Sequence, residues 1–193
     1  MLAVVRTGIL GGTFDPIHVA HLHTAECALY QFGLDRLLII PAGDPWQKSG
    51  REVTSGEHRL AMCRLATANA DRIEVDLREL ERHGPTYTVD TLATFSADEE
   101  LFLILGSDSL AMIETWHRWT DVVERVSLVE APRLGTSRGM GAAHGAVELD
   151  MSLLEVSSTD IRRRIAEGKP FRYLVTGPVH EYIEARNLYA QPG

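Results

Sequence analysis

The segment from Leu2 to Leu10 begins with a short apolar run, interrupted at Arg6 and Gly8, and ends in Gly11-Gly12. A short apolar run closed by a glycine turn predicts a buried strand over residues 2–10. Asp15-Pro16 follows, a capping residue before a proline suited to the first helical position. A helix is therefore predicted to start between Pro16 and Val19, to reach Phe32 and to stop at Gly33. Leu37-Leu38-Ile39-Ile40, closed by Pro41-Ala42-Gly43, predicts a second strand. Residues 56–69 then read as a helix, the alternating stretch 73–80 as a third strand and 88–95 as a helix. The fully apolar run 101–105 ends at Gly106 and predicts a fourth strand. Broken helix to Trp119 and a fifth strand at 126–129 come next. Residues 135–145 hold four glycines with little periodicity and predict a mobile loop. A last short strand at 147–154, a helix capped by Ser158-Thr159-Asp160 that runs to Gly168, and a terminal helix at 179–186 complete the pattern.

Apolar strands that alternate with helices predict an α/β fold, a doubly wound and mostly parallel sheet with helices on both faces. The 193 residues show no internal repeat and are expected to form a single domain, 1–193. In the common doubly wound order the first and fourth strands are neighbours, and ligands bind beyond their carboxyl ends. The loops at Gly11-Gly12 and at Gly106-Ser107-Asp108 are thereby expected to meet at one site.

Composition narrows the ligand. A net charge of -8 argues against a basic nucleic-acid face, so no nucleic-acid partner is expected. No stretch of about 18 apolar residues occurs, so no membrane partner is expected either. Cys27 and Cys63 form no spacing motif and read as small buried hydrophobes, as suits a cytoplasmic protein. A homo-oligomer is compatible with all of this. An acidic protein can still bind phosphate through a few local donors, and the first loop offers them. Its glycines bring backbone close to a ligand, and the helix start beyond presents N–H groups and a positive dipole end. His18 and His21, three residues apart, are placed to donate to phosphate oxygens. His18, His21 and His23 as metal ligands, or as ordinary surface histidines, remain alternatives. The glycine spacing fits neither the dinucleotide fingerprint nor, at 43–49, a Walker A loop.

Gly11-Gly12-Thr13-Phe14-Asp15-Pro16-Ile17-His18, followed by His21, resembles the nicotinate-nucleotide adenylyltransferase family of HxGH-type nucleotidyltransferases. The likeness continues through Pro41 to Lys48, Pro85-Thr86-Tyr87-Thr88-Val89-Asp90, Gly106-Ser107-Asp108 with Trp116, and Val156-Ser157-Ser158-Thr159-Asp160-Ile161-Arg162. Five segments in the family's order carry far more weight than one. The resemblance implies a Rossmann-like nucleotidyltransferase fold and adenylyl transfer from ATP to nicotinate mononucleotide, giving deamido-NAD and pyrophosphate. It implies catalytic roles for His18, His21, Lys48 and Arg162. It implies ATP contacts from His18, His21 and Arg162 and from Gly11, Gly12, Thr13, Phe14, Gly106, Asp108, Ser158 and Thr159. Asp15, Lys48, Thr86, Tyr87 and Trp116 are implied to hold the mononucleotide. Mg²⁺ is implied as the companion of ATP, with no protein metal site of its own.

The chain departs from the family's pattern in three places. Ala20 stands where the family usually has glycine. The order Ala131-Pro132-Arg133-Leu134-Gly135 replaces an Arg-Pro-Gly run, so no role is assigned to Arg133. The stretch 135–156 is short and glycine-rich. Two alternatives stay open: an adenylyltransferase for nicotinamide mononucleotide or phosphopantetheine, and a nucleotide-binding module with little turnover because of the Ala20 methyl. A tRNA-linked role, suggested by the HxGH pattern alone, is disfavoured by the acidic charge and by Ser157-Ser158-Thr159 where a lysine-rich motif is needed.

Overall fold

Six parallel strands form a single sheet in the computed structural model, which describes residues 4–43, 53–135, 139 and 141–190. The strands are β1 (Arg6–Gly12), β2 (Arg36–Pro41), β3 (Ile73–Val75), β4 (Glu100–Gly106), β5 (Ser127–Ala131) and β6 (Val147–Glu148). Their order is β3-β2-β1-β4-β5-β6, so β1 and β4 are adjacent where the winding reverses, as expected from the sequence. Seven α-helices among the described residues surround them: α1 (Val19–Gln31), α2 (Gly56–Thr67), α3 (Thr88–Leu92), α4 (Ser107–Leu110), α5 (Trp119–Arg125), α6 (Ser158–Ala166) and α7 (Gly177–Ala185).

The stretches 37–40 of β2 and 101–105 of β4 read as unbroken apolar runs because both faces of the sheet are covered. Leu10, Leu37, Ile39, Phe102 and Ile104 point into one core with residues of α1, α2, α6 and α7. Their alternates Ile9, Leu38, Ile40, Leu103 and Leu105 point into the other, with residues of α3, α4 and α5. Among the described residues no helix is long and apolar enough to cross a membrane.

Several element ends differ from the sequence reading, each for a local reason. The third strand stops at Val75 rather than near Leu80, because Asp76 accepts from the main-chain N–H of Arg78 at 2.9 Å and turns the chain. The third helix closes at Leu92, where the Thr94 hydroxyl donates to the carbonyl of Thr91. The last strand is only Val147–Glu148, since the N–H of Asp150 donates to Gln31 Oε1 instead of a neighbouring strand. Ser157, not Ser158, caps α6 and accepts from Asp160 N at 3.1 Å. Residues 136–138 and 140 of the expected mobile loop lie outside the described residues. The remainder contains a single 3-10 turn at Ala142–His144, and Gly141 N donates to buried Glu130 Oε2 at 3.0 Å.

Candidate functional site

Beyond the carboxyl ends of β1 and β4 lies a cavity of about 1060 Å³. Drug-sized ligand pockets run from about 300 to 1,000 Å³, so this one has room for a dinucleotide. Every residue singled out from the sequence lines it except Lys48, which lies outside the described residues. That holds for Gly11, Gly12, Thr13, Phe14, Asp15, His18, His21, Thr86, Tyr87, Gly106, Asp108, Trp116, Ser158, Thr159 and Arg162. Strand order explains the convergence: the loops after β1 and β4 open side by side. A side-chain Cβ on Gly11 would meet nothing within 4 Å, so the bare backbone there faces open space.

The first wall is the start of α1. Its N-cap is His18, not Asp15 as the sequence suggested. The main-chain N–H of His18 donates to His21 Nδ1 at 3.2 Å, which places the ring proton of neutral His21 on Nε2. The two imidazoles stack, with centroids 3.7 Å apart, and the ring of buried Phe14 meets His21 edge-on at 5.0 Å. Helix geometry leaves the N–H groups of Val19 and Ala20 without acceptors inside the helix. Ala20 itself lines the cavity.

His18 is 5% exposed, and burial, aided by Arg133, lowers its pKa to about 4. The ring is therefore neutral at pH 7. Between pH 6.5 and 4 the unfolded chain takes up a proton that the folded chain refuses, so stability falls as pH drops through that window. The slope from this group is about 1.4 kcal/mol per pH unit, and it vanishes below pH 4. A His18→Asn variant is expected to lose this part of the acid sensitivity. Denaturant unfolding of both proteins from pH 7 to 4 checks it; parallel curves would contradict the assignment.

Asp15 is 2% exposed and sits at the centre of a polar network. Its Oδ1 accepts from the Tyr189 hydroxyl at 2.7 Å, and Arg162 Nη1 donates to its carbonyl oxygen and lies 3.9 Å from Oδ2. Arg162 Nη2 also donates to Thr159 Oγ1 at 3.1 Å, and Ser158 Oγ donates to the carbonyl of Pro16 at 2.9 Å. The start of α6 is thus tied to the loop after β1. Beneath both, Arg59 on α2 is also 2% exposed. Its Nε donates to Thr54 O at 2.9 Å, Nη1 to Thr13 O at 2.9 Å and Nη2 to Gly43 O at 3.3 Å. One guanidinium holds the loops after β1 and β2 together. Burial lowers its pKa and the Asp15 carboxylate opposes that shift.

The opposite wall follows β4 and β5. Asp108 Oδ2 pairs with Arg133 Nη1 at 3.1 Å. A Cβ on Gly106 would lie 2.7 Å from Asp108 Oδ1 and 3.0 Å from Arg133 Nε, so a larger residue there would displace this pair. Glu130 on β5 is buried and accepts from Ser107 Oγ at 2.8 Å, which fixes the turn out of β4. Tyr87 stacks at a tilt on His117, with centroids 4.6 Å apart, and Trp116 stands beside them on the cavity wall. Glu79 also lines the cavity; burial raises its pKa, and its Oε1 accepts from Thr91 Oγ1 at 2.7 Å. Among the described residues, Trp116 Nε1 and His18 Nδ1 are buried with no hydrogen-bond partner. Buried polar atoms are nearly always paired, so two orphans in one cavity indicate where a ligand's polar atoms belong.

Sequence reasoning left out Arg59, Arg133, Glu79, His117 and Tyr189. Only Arg59 carried a usable signal: it shares the inward face of α2 with Met62 and Cys63, at helical spacing. No group of three or more His, Cys, Asp or Glu side chains able to hold a metal occurs among the described residues.

Residues 9–164 match the model of the cytidylyltransferase-like family. A probable nicotinate-nucleotide adenylyltransferase of Paenarthrobacter aurescens is 44% identical over 191 residues, 95% of this chain and 90% of that protein. One of Streptomyces coelicolor is 42% identical over 93% of this chain and 98% of that protein. Among solved structures, Plasmodium falciparum nicotinic acid mononucleotide adenylyltransferase complexed with NaAD superposes with a TM-score of 0.80. It is 20% identical, with 96% of this chain and 97% of that one covered, a likeness of fold.

Proposed function

The chain belongs to the nicotinate-nucleotide adenylyltransferase family of cytidylyltransferase-like proteins, and from this we infer that it transfers the adenylyl group of ATP to nicotinate mononucleotide. The products are deamido-NAD and pyrophosphate. One observation carries the reading at the level of the site: two helix starts, Arg162 and the Tyr87–Trp116 wall face a single cavity large enough for both substrates.

In this reaction a phosphate oxygen of the mononucleotide forms a bond to the α-phosphorus of ATP. The bond from that phosphorus to the β-phosphate's bridging oxygen breaks, and pyrophosphate departs with the electron pair. The nucleophile is already ionised, so the protein needs no general base, and catalysis is orientation plus stabilisation of charge. We assign the triphosphate to the α1 start, with His21 Nε2–H and neutral His18 as donors; the family resemblance adds Lys48, which lies outside the described residues. Ser158, Thr159 and Arg162 face it from α6. Gly11, Gly12, Thr13 and Phe14 shape the floor of the ATP site, and Gly106 and Asp108 take the adenosine side. Thr86, Tyr87 and Trp116 hold the mononucleotide, with the Trp116 indole N–H donating to it. Asp15, tied to Tyr189 and Arg162, acts by holding this frame. Mg²⁺ carried by the triphosphate would supply charge neutralisation there, and Asp108 would be the carboxylate to hold it; a cation carried by phosphates needs few protein ligands. The two free cysteines suit a cytoplasmic setting.

Pyrophosphate release tests the reading. With ATP and nicotinate mononucleotide the chain is expected to release one pyrophosphate per deamido-NAD formed, and to turn over nicotinamide mononucleotide and phosphopantetheine far more slowly. ATP binding without pyrophosphate release would overturn it. The Ala20→Gly variant in the same assay reports what the methyl group costs.

A further inference from the structure

Beyond α7 the chain turns back on itself through two left-handed residues, Asn187 with φ 50° and Tyr189 with φ 64°. Side chains other than glycine adopt that region at a cost of about 1 kcal/mol or more, so the surrounding structure must hold them there. The turn delivers the Tyr189 ring into the interior, where its hydroxyl lies 2.7 Å from Asp15 Oδ1 and 3.9 Å from Met62 Sδ. Asp15 is the buried carboxylate in the loop after β1, and it stands beside both Arg162 and Arg59. The ion pair with Arg162 is loose: the guanidinium is 3.9 Å from Oδ2, and its close contact goes to the Asp15 carbonyl instead. The Thr54 N–H lies 3.5 Å from the same Oδ2.

We propose that Tyr189 is a positioning residue for adenylyl transfer: by donating to Asp15 Oδ1, its hydroxyl fixes the buried carboxylate beside Arg162 and thereby the guanidinium that lines the cavity. The inference rests on the adenylyl-transfer reading above. A neutral donor suits this task, because it satisfies a buried carboxylate oxygen without adding charge to a site that already holds two guanidinium groups. Burial and the Asp15 charge raise the Tyr189 pKa, so the hydroxyl keeps its proton through the physiological range. Without that hydroxyl, Oδ1 of a carboxylate that is 2% exposed loses a donor. The carboxylate then turns towards its other donors, and Arg162, which donates to the Asp15 carbonyl, shifts with it. A small displacement of a charged group is enough to lower a rate that depends on orientation. The distal end of the chain thereby sets the geometry of a loop 174 residues earlier.

A double-mutant cycle tests this. Pyrophosphate release and Tm are measured for the wild type, Tyr189→Phe, Arg162→Lys and the double variant, with ATP and nicotinate mononucleotide. Tyr189→Phe is expected to lower kcat about tenfold with KM values changed by less than about twofold. Added to Arg162→Lys, the same change is expected to cost less than about twofold more, because the group it positions has already lost its fork. Asp15→Asn, which keeps an acceptor for the hydroxyl but removes the charge that steers Arg162, is expected to show a similar kcat loss. A normal kcat in Tyr189→Phe overturns the proposal, as does an equal loss in both Arg162 backgrounds or a normal kcat in Asp15→Asn. An inactive wild-type chain overturns the adenylyl-transfer reading itself, and this inference with it.

Discussion

Arg162→Ala is expected to lower kcat by about 10²–10³-fold while the KM for ATP changes by less than about threefold. Arg162 lies one turn into α6, at the helix end that offers its own N–H groups and a positive dipole to the cavity. Its side chain is 17% exposed, and it is held by Thr159 and by the Asp15 carbonyl rather than by a tight carboxylate pair. A charge fixed in this way is organised before substrate arrives, so it acts most strongly where new charge develops, as pyrophosphate separates. That distinguishes it from a surface arginine such as Arg163, whose partners Asp160 and Glu167 lie on the same helix face. Steady-state kinetics with both substrates varied decides the matter. An unchanged kcat with a raised KM would assign Arg162 to ground-state binding.

The second large effect is on stability. Arg59→Met is expected to destabilise the fold by about 3–5 kcal/mol, because it leaves the buried Asp15 carboxylate with less compensating charge. It also strips the carbonyls of Thr13, Thr54 and Gly43 of a donor. For a chain of this size that corresponds to a Tm lower by about 10–15 °C. Methionine fills much of the same volume, so the loss reports on the guanidinium and not on a void. Arg64→Met on the exposed face of the same helix is the control and is expected to change stability by less than about 0.5 kcal/mol. Thermal unfolding of the two variants separates these cases; equal Tm values would show that Arg59 is a spectator.

The parts of this account that the sequence exposes are those written in apolar periodicity and in turn chemistry. The runs at 37–40 and 101–105 are apolar throughout because both faces of β2 and β4 are covered. That feature alone implies a parallel sheet, a β1–β4 crevice and the meeting of two loops. The polar network beneath the loops is much less legible. Arg59 looks like any charged residue on a helix until its neighbours on the inward face are seen to be Met62 and Cys63. Asp15 reads as a helix cap because aspartate before proline usually is one. Its actual partner, Tyr189, lies at the other end of the chain, and no local pattern links them. Strand ends at Val75 and Glu148 are also set by tertiary or local hydrogen bonds, at Asp76 and Gln31, that hydrophobic alternation does not encode.

Label transfer from ATP tests the central claim most directly. The chain is incubated with α-phosphate-labelled ATP, Mg²⁺ and nicotinate mononucleotide, and the products are separated. Attack at the α-phosphorus in the β1–β4 cavity predicts that all transferred label appears in deamido-NAD and none in pyrophosphate. Label found in free AMP, or ATP retained intact beside bound mononucleotide, would contradict it.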